Sequence, residues 1–372
     1  MRVLLVHNES VYFAGAQRML NYFLEGIRGT AVEATVAFVE TAQTRAMIPD
    51  EVPLIRLPPS PQLDPRTLAR QTRMLLAAGR SQPFDLIHGW TARDWELTAL
   101  AALLLRKPAV GTLHDHPEAE FISPKRRRLM RWAARWGMSR IICVSQAVRE
   151  ACVKAGYPEA RLRVAHNGLP EIEAGPALRS AGTKQPFRLG FLGVFSERKG
   201  LSVLFEVVDR FARALGAQGL EWELQMAGGA QDEAGKALVA TMQARYSQSP
   251  WWPRVQWLGW VQKPREFVAG LDLLICPSKQ FDPFPTVLLE AGWAGVPTLA
   301  SRLGGAGEII AEGETGWTFD PEDPGSGAAR LREAALDVAA NRRRGENARA
   351  RMKACFGVET MVANYQRIYG EL

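Results

Sequence analysis

Two α/β domains, each a doubly wound parallel sheet, with a cleft between them, are expected from this 372-residue chain. Three observations carry the expectation. Short β-branched runs alternate with longer amphipathic segments in both halves, the rhythm of parallel strands joined by crossover helices. The alternation breaks once, between Asn167 and Pro186, in a stretch rich in Gly, Pro, Ala and Ser with no apolar period, which reads as an interdomain linker. The length suits two domains of roughly 100–200 residues each.

The N-terminus has one basic residue and then a short apolar run ending in His7 and Asn8. It lacks a signal-peptide cleavage pattern and reads as a first strand, 3–7. Further strands are expected at 34–39, 86–88, 109–113 and 141–144, with helices at 15–28, 65–79, 94–105, 124–135 and 146–155. The second half repeats the pattern: strands at 187–192, 222–226, 255–258, 273–276 and 297–300, helices at 200–215, 232–246, 286–294 and 327–341. A last helix, 359–370, follows a basic stretch, 342–353, and carries an apolar stripe of Tyr365, Ile368 and Tyr369.

Composition excludes several classes. Hydrophobic residues make up 47% of the chain, so it is not disordered. No apolar run approaches the roughly 18–20 residues that cross a bilayer. Cys143, Cys152, Cys276 and Cys355 form no CxxC pair and no Cys/His cluster, which argues against structural zinc and a disulfide scaffold. A reducing cytoplasmic compartment is expected. The net charge of +7 is unevenly placed. Residues 1–168 hold 23 Lys and Arg against 15 Asp and Glu; residues 169–372 hold 23 against 24. A basic first half suits an anionic partner. Nucleic acid is not expected, because no helix-turn-helix, zinc finger or aromatic-rich strand accompanies the charge.

In doubly wound sheets ligands bind beyond the carboxyl ends of strands, so the strand-to-helix turns are where chemistry is sought. After the first strand, Ala14, Gly15, Ala16 and Gln17 open a helix whose free N–H groups suit an anion. In the second half, the turn from Gly193 to Gly200 sets Arg198 and Lys199 beside a helix start, a point charge plus backbone donors. The segment from Pro277 to Ala291 is the most informative. A loop after strand 273–276 carries Asp282 and Phe284 and leads through Pro285 into a helix starting at Thr286. Pro285 suits the first turn, where its missing N–H costs little, and the N–H groups of Thr286 and Val287 point outward. Glu290 lies about one turn inside, among Leu288, Leu289, Ala291 and Trp293, so it is expected to be partly buried and in need of a partner.

The run from Asp282 to Glu290 resembles the Glu-x7-Glu motif of the large retaining GT-B glycosyltransferases of family four. Residues 291–301, the run Gly304, Gly305, Ala306, Gly307 and Glu308, and Arg198, Lys199 and Gly200 also look like that family. So do Val144 and Ser145, His166, Asn167 and Gly168, and His114 and Asp115. The resemblance covers nearly the whole chain, in the family's order. It implies the GT-B fold: two Rossmann-like domains, 1–168 for the acceptor and 169–356 for a nucleotide sugar, with 357–372 crossing back to brace the first. It implies sugar transfer with retention of configuration, no cofactor and no required metal. Glu290 would hold the ribose hydroxyls, Asp282 the donor sugar, and Lys199 with Arg198 the diphosphate. Gly15, Ala16, Phe284, Thr286 and Val287 would complete the donor site, and His114 would orient the transferred sugar. Three positions depart from the pattern: Asp282 stands for the first Glu, Val194 for an Arg, and Pro285 for a Gly.

The segment 124–137 places six cations around Leu129, Trp132, Ala133 and Trp136 at helical spacing. Such a helix reads either as a domain helix with its Trp in the core and its Arg in water, or as one whose Arg126, Arg127, Arg128 and Trp132 meet an anionic membrane face. A glycan or lipid-linked acceptor, lipopolysaccharide or exopolysaccharide precursor, met at the inner face of the cell membrane, follows as an expectation. The alternatives are a catalytically silent sugar-nucleotide-binding protein and another GT-B enzyme such as an epimerase.

Overall fold

The computed structural model describes residues 1–8, 15–59, 64–120, 122–171, 186–216 and 219–372. Ala14 and most of the expected linker lie outside them. The chain divides into two compact units, Met1–Pro170 with Gly357–Leu372, and Glu171–Phe356. Leu169 and Pro170, placed in the second domain on sequence grounds, belong to the first unit. Leu169 bridges to Gly357 there, its carbonyl accepting from Val358 N at 3.0 Å.

The first unit is built on seven strands: β1 (Arg2–His7), β2 (Glu33–Val39), β3 (Leu54–Leu57), β4 (Leu86–Gly89), β5 (Ala109–Leu113), β6 (Arg140–Cys143) and β7 (Leu162–Val164). The second has six: β8 (Phe187–Val194), β9 (Trp222–Gly229), β10 (Val255–Gly259), β11 (Leu273–Cys276), β12 (Thr298–Ser301) and β13 (Gly316–Phe319). Their orders are β3-β2-β1-β4-β5-β6-β7 and β10-β9-β8-β11-β12-β13, and every neighbouring pair is parallel. Both are doubly wound, Rossmann-like sheets that reverse their winding once, between β1 and β4 and between β8 and β11. Strands β4, β5, β11 and β12 are buried end to end, as a sheet covered by helices on both faces requires.

The strands missed on sequence grounds, β3, β7 and β13, all lie at sheet edges and are three or four residues long. Two of them carry an Arg, which breaks any apolar run. The helix expected over 327–341 is two helices, Pro324–Leu336 and Val338–Cys355. Asp337 (φ −114, ψ 75) leaves helical geometry and its carboxylate accepts from Ala340 N, capping the second helix. The basic stretch 342–353 is the body of that helix.

The segment 124–137 also corrects an expectation. It forms the helix Pro124–Trp132 and a wider turn, Ala133–Gly137. Its inward face is Met130, Ala133 and Ala134, whereas Trp132 and Trp136 face outward. Small residues explain the choice: a Cβ at Gly137 would stand 2.5 Å from Ala99 Cβ, so only a side-chain-free position allows this approach to the helix Trp95–Leu105. Arg126 and Arg127 turn inward too. Arg126 pairs with buried Glu96 at 2.9 Å and donates to Ala92 O at 2.7 Å; Arg127 donates to Ala119 O at 2.9 Å. Neither is presented freely to a partner. No helix among the described residues is long and apolar enough to cross a membrane.

Candidate active site

Where a sheet reverses, the turns leaving the two central strands open side by side beyond their carboxyl ends, the place where open α/β sheets hold ligands. In the second unit those turns follow β8 and β11, and they hold the residues singled out above.

The turn after β8 ends at Gly200, with φ 75, just before the helix Leu201–Leu215. A Cβ there would stand 1.8 Å from Pro277 O, so only glycine lets this turn lie on the loop after β11. The two are laced together: Lys279 N and Gln280 N donate to Arg198 O at 3.0 and 3.4 Å. That contact carries the Lys199 ammonium to Asp282, where Nζ donates to Oδ2 at 2.6 Å. The buried Ser278 hydroxyl donates to the same oxygen at 3.3 Å, leaving Oδ1 without a protein donor among the described residues. Ser278 is held in turn by Ser301, whose hydroxyl donates to Ser278 O at 2.6 Å. On the other side, Gly304 (φ 82) would put a Cβ 2.0 Å from Asp282 O, and Gly305 N donates to that carbonyl at 2.9 Å. Asp282 is thus fixed through its side chain by Lys199 and Ser278 and through its backbone by the 304–305 turn.

The helix Thr286–Trp293 starts at Pro285, with no side-chain cap on its first turn. The helix N-terminus, its positive dipole end, thus directly follows the Asp282 loop, with Thr286 and Val287 half-buried. Glu290 is buried, 4% exposed, one turn in. Phe284 is buried against the Phe356 ring, centroids 5.7 Å apart, and anchors the loop from behind. Arg198 is exposed, and a Glu197–Lys279 ion pair at 2.6 Å flanks it. Burial and the nearby Asp282 carboxylate raise the Cys276 thiol to about 11, so it stays protonated behind Ser278. The structure therefore gathers Lys199, Asp282, Phe284, Thr286, Val287 and Glu290 in one unit around one helix mouth.

In the first unit the corresponding turns follow β1 and β4. Gly15 and Ala16 open the helix Gly15–Gly26, and Ala16 O accepts from Trp90 Nε1 at 2.8 Å. His114 follows β5. Its ring lies 5.6 Å from the Trp90 ring, it hydrogen-bonds to the Trp90 backbone, and its Nε2 is buried without a partner. The bonded atom is therefore Nδ1, whose N–H donates to the Trp90 carbonyl, which leaves Nε2 as a lone-pair acceptor. Burial, opposed by that hydrogen bond, pulls His114 down to about 3, so the ring is neutral at ordinary pH.

Sequence reasoning assigned no role to Trp90, Ser278 or His7. His7, at the end of β1, is fully buried with both ring nitrogens unpaired, and burial lowers it to about 4. A histidine closing an apolar strand was the available signal. Ser278 needed the geometry of Asp282 to stand out. A cavity of about 540 Å³ lined by Arg2, Arg28, Glu33 and Phe84 opens at the amino-terminal edge of the first sheet, away from all these residues.

Residues 13–171 match the family described as Glycosyltransferase Family 4, and residues 179–351 the one described as Glycosyl transferases group 1. Among characterised proteins, glycogen synthase of Mycobacterium tuberculosis is 26% identical over 317 residues, covering 79% of this chain and 70% of that protein. The N-acetyl-alpha-D-glucosaminyl L-malate synthase of Bacillus anthracis is 34% identical over 116 residues, 31% of this chain and 30% of that one. Among solved structures, Anabaena HepE in complex with UDP superposes with a TM-score of 0.84 over 100% of both chains at 22% identity. The lipopolysaccharide outer core galactosyltransferase WaaB does so at 0.78 and 16%, also over 100% of both. Two doubly wound sheets, a Lys199–Asp282 pair at a helix mouth, and family matches over both halves place this chain among the GT-B glycosyltransferases of the family-four type.

Proposed function

We propose that the protein moves a sugar from a nucleoside diphosphate sugar to an acceptor hydroxyl, with retention of anomeric configuration and without a metal ion. The observation that carries this reading is the 2.6 Å pairing of Lys199 with Asp282 just before the N-terminus of the helix Thr286–Trp293. An ammonium with two further N–H donors sits where a diphosphate accepts charge as the glycosidic bond breaks. The helix N-terminus adds backbone donors and a favourable dipole, the standard setting for phosphate. The free Oδ1 of Asp282 takes a hydroxyl of the donor sugar. Glu290, buried one turn inside that helix, accepts from the vicinal ribose hydroxyls through its carboxylate oxygens. His114 accepts a sugar hydroxyl at Nε2 and, being neutral, orients the transferred group rather than moving a proton.

HepE, which shares the fold, has been solved with UDP and with UDP-glucose, and this supports a nucleotide sugar donor. The acceptor proposed is a lipid-linked glycan, lipopolysaccharide or exopolysaccharide precursor at the cytoplasmic face of the membrane. The test is donor hydrolysis without acceptor, followed by NMR of the anomeric proton once an acceptor is found. Slow release of nucleoside diphosphate that survives EDTA, and a product with the donor's anomeric configuration, are expected. No release from any nucleotide sugar, release only with added metal, or an inverted product overturns the corresponding part.

A further inference from the structure

We propose that the outward face of 124–137, together with the last turn of the helix Trp95–Leu105, docks on an anionic lipid bilayer. The proposal adds a partner surface to the acceptor reading and is tested without any sugar transfer. Four large apolar side chains gather there: Trp132 is 58% exposed, Trp136 69%, Leu103 74% and Leu104 55%. Trp132 and Trp136 stand one turn apart on one face. Gly137 rests on Ala99, which packs the two segments together, and Leu103 lies one turn beyond Ala99 on the helix Trp95–Leu105. Burial of this kind of surface in the headgroup region is what amphipathic interfacial helices achieve.

Charge selects the occupant. Lys125, Arg128 and Arg135 are exposed around the tryptophans, with Arg135 5.6 Å from the Trp136 ring centroid, and Arg106 and Lys107 are exposed beside the leucines. Over 95–107 and 124–137 the one carboxylate is Glu96, which is buried on Arg126. The inward turn of Arg126 and Arg127 leaves a rim of cations around an apolar centre bearing two Trp, which matches anionic headgroups over acyl chains.

The test is co-sedimentation of the full chain with phosphatidylcholine vesicles containing about 30% phosphatidylglycerol at low salt. Binding is expected, weakened by salt and absent on pure phosphatidylcholine. Trp132→Ser with Trp136→Ser, and separately Leu103→Ser with Leu104→Ser, should each lower the partition at least about tenfold. Arg128→Gln with Arg135→Gln should lower it about fivefold per charge. Trp260→Ser, at an equally exposed Trp of the second unit, should leave it unchanged, and all variants should keep the parent melting midpoint. No vesicle binding, equal binding to neutral vesicles, binding that these variants do not alter, or a patch-dependent dimer in place of vesicle binding overturns the proposal. Absent vesicle binding with intact donor hydrolysis overturns this inference alone and leaves the proposed chemistry standing.

Discussion

Lys199 and Asp282 are 83 positions apart and meet because two glycines, 200 and 304, let three backbone segments touch. Glu290→Ala should weaken binding of the nucleoside diphosphate at least about tenfold, since two hydrogen bonds to a charged acceptor are lost; isothermal titration reads this directly. On the proposed reading, in which His114 Nε2 accepts a hydroxyl of the transferred sugar, His114→Ala should lower kcat much more than it raises the donor Kd. With His114 at about 3, no kinetic limb between pH 5 and 8 should belong to it. The same burial makes stability acid-sensitive. His7, His88 and His114 fold with values near 4, 3 and 3, below the ordinary 6.5. Above pH 6.5 they are neutral folded and unfolded alike. As pH falls below that, the unfolded chain takes up protons that the folded chain refuses, so stability drops, by up to about 1.4 kcal/mol per histidine per pH unit. Melting midpoints measured from pH 8 down to 4 should be flat and then fall. A midpoint unchanged down to pH 4 would contradict the burial of these rings.

Single elements carry the next set of consequences. Gly200→Ala forces a Cβ into Pro277 O and strains a left-handed backbone, so it should separate the β8 turn from the β11 loop and abolish nucleotide binding; a crystal structure or a binding titration decides it. Arg126→Ala leaves Glu96 buried without its cation and should lower stability by up to about 3 kcal/mol, visible in urea unfolding. Legibility also differs by element. Interior strands such as β5 and β11 announce themselves as short apolar runs between helices, and helices such as Leu201–Leu215 follow from their period, whereas the 18-residue Val338–Cys355 does not, because it buries only Asn341, Gly345, Ala348 and Met352. Edge strands β3, β7 and β13 do not, since each is only three or four residues long and pairs with a single neighbour. Asp337 reads as one polar residue among many until its capping bond to Ala340 N is seen. Within the candidate site, Lys199 and Asp282 stand out in the sequence because each sits at a strand-to-helix turn beside a Gly or Pro, and Glu290 because it is a carboxylate among apolar helix residues. Trp90 does not, because its contact with Ala16 spans 74 positions, and Ser278 does not, because its bond to Asp282 depends on how the intervening loop folds. For Trp132 and Trp136 spacing alone could not tell the core face from the water face; the small residues Ala133, Ala134 and Gly137 decided it.

Taken as a whole, the chain leaves its first unit at Pro170 and returns to it at Gly357. The returning helix Val358–Tyr369 is part of that unit's core: Tyr365, Ile368 and Tyr369 are buried, and the Tyr369 hydroxyl meets His88 Nδ1 at 2.7 Å. Glu371 adds ion pairs to Arg140 at 3.0 Å and Arg163 at 2.8 Å. A chain ending at Phe356 should therefore lose cooperative unfolding of the first unit, whereas 171–356 made alone should melt cooperatively, because its own aromatic cluster around Phe205, Trp251 and Trp257 is self-contained. Differential scanning calorimetry of the two fragments distinguishes these outcomes. The most direct trial of the central claim, that Lys199, Asp282 and Glu290 hold an activated sugar at one helix mouth, is a thermal-shift screen of the intact protein against nucleoside diphosphates and their sugars. The account predicts that at least one nucleoside diphosphate sugar stabilises the protein, by about 2.7 kcal/mol at a hundred times its Kd, and that Glu290→Ala and Lys199→Ala remove the shift. Stabilisation by none of them, or an undiminished shift in both variants, would contradict it.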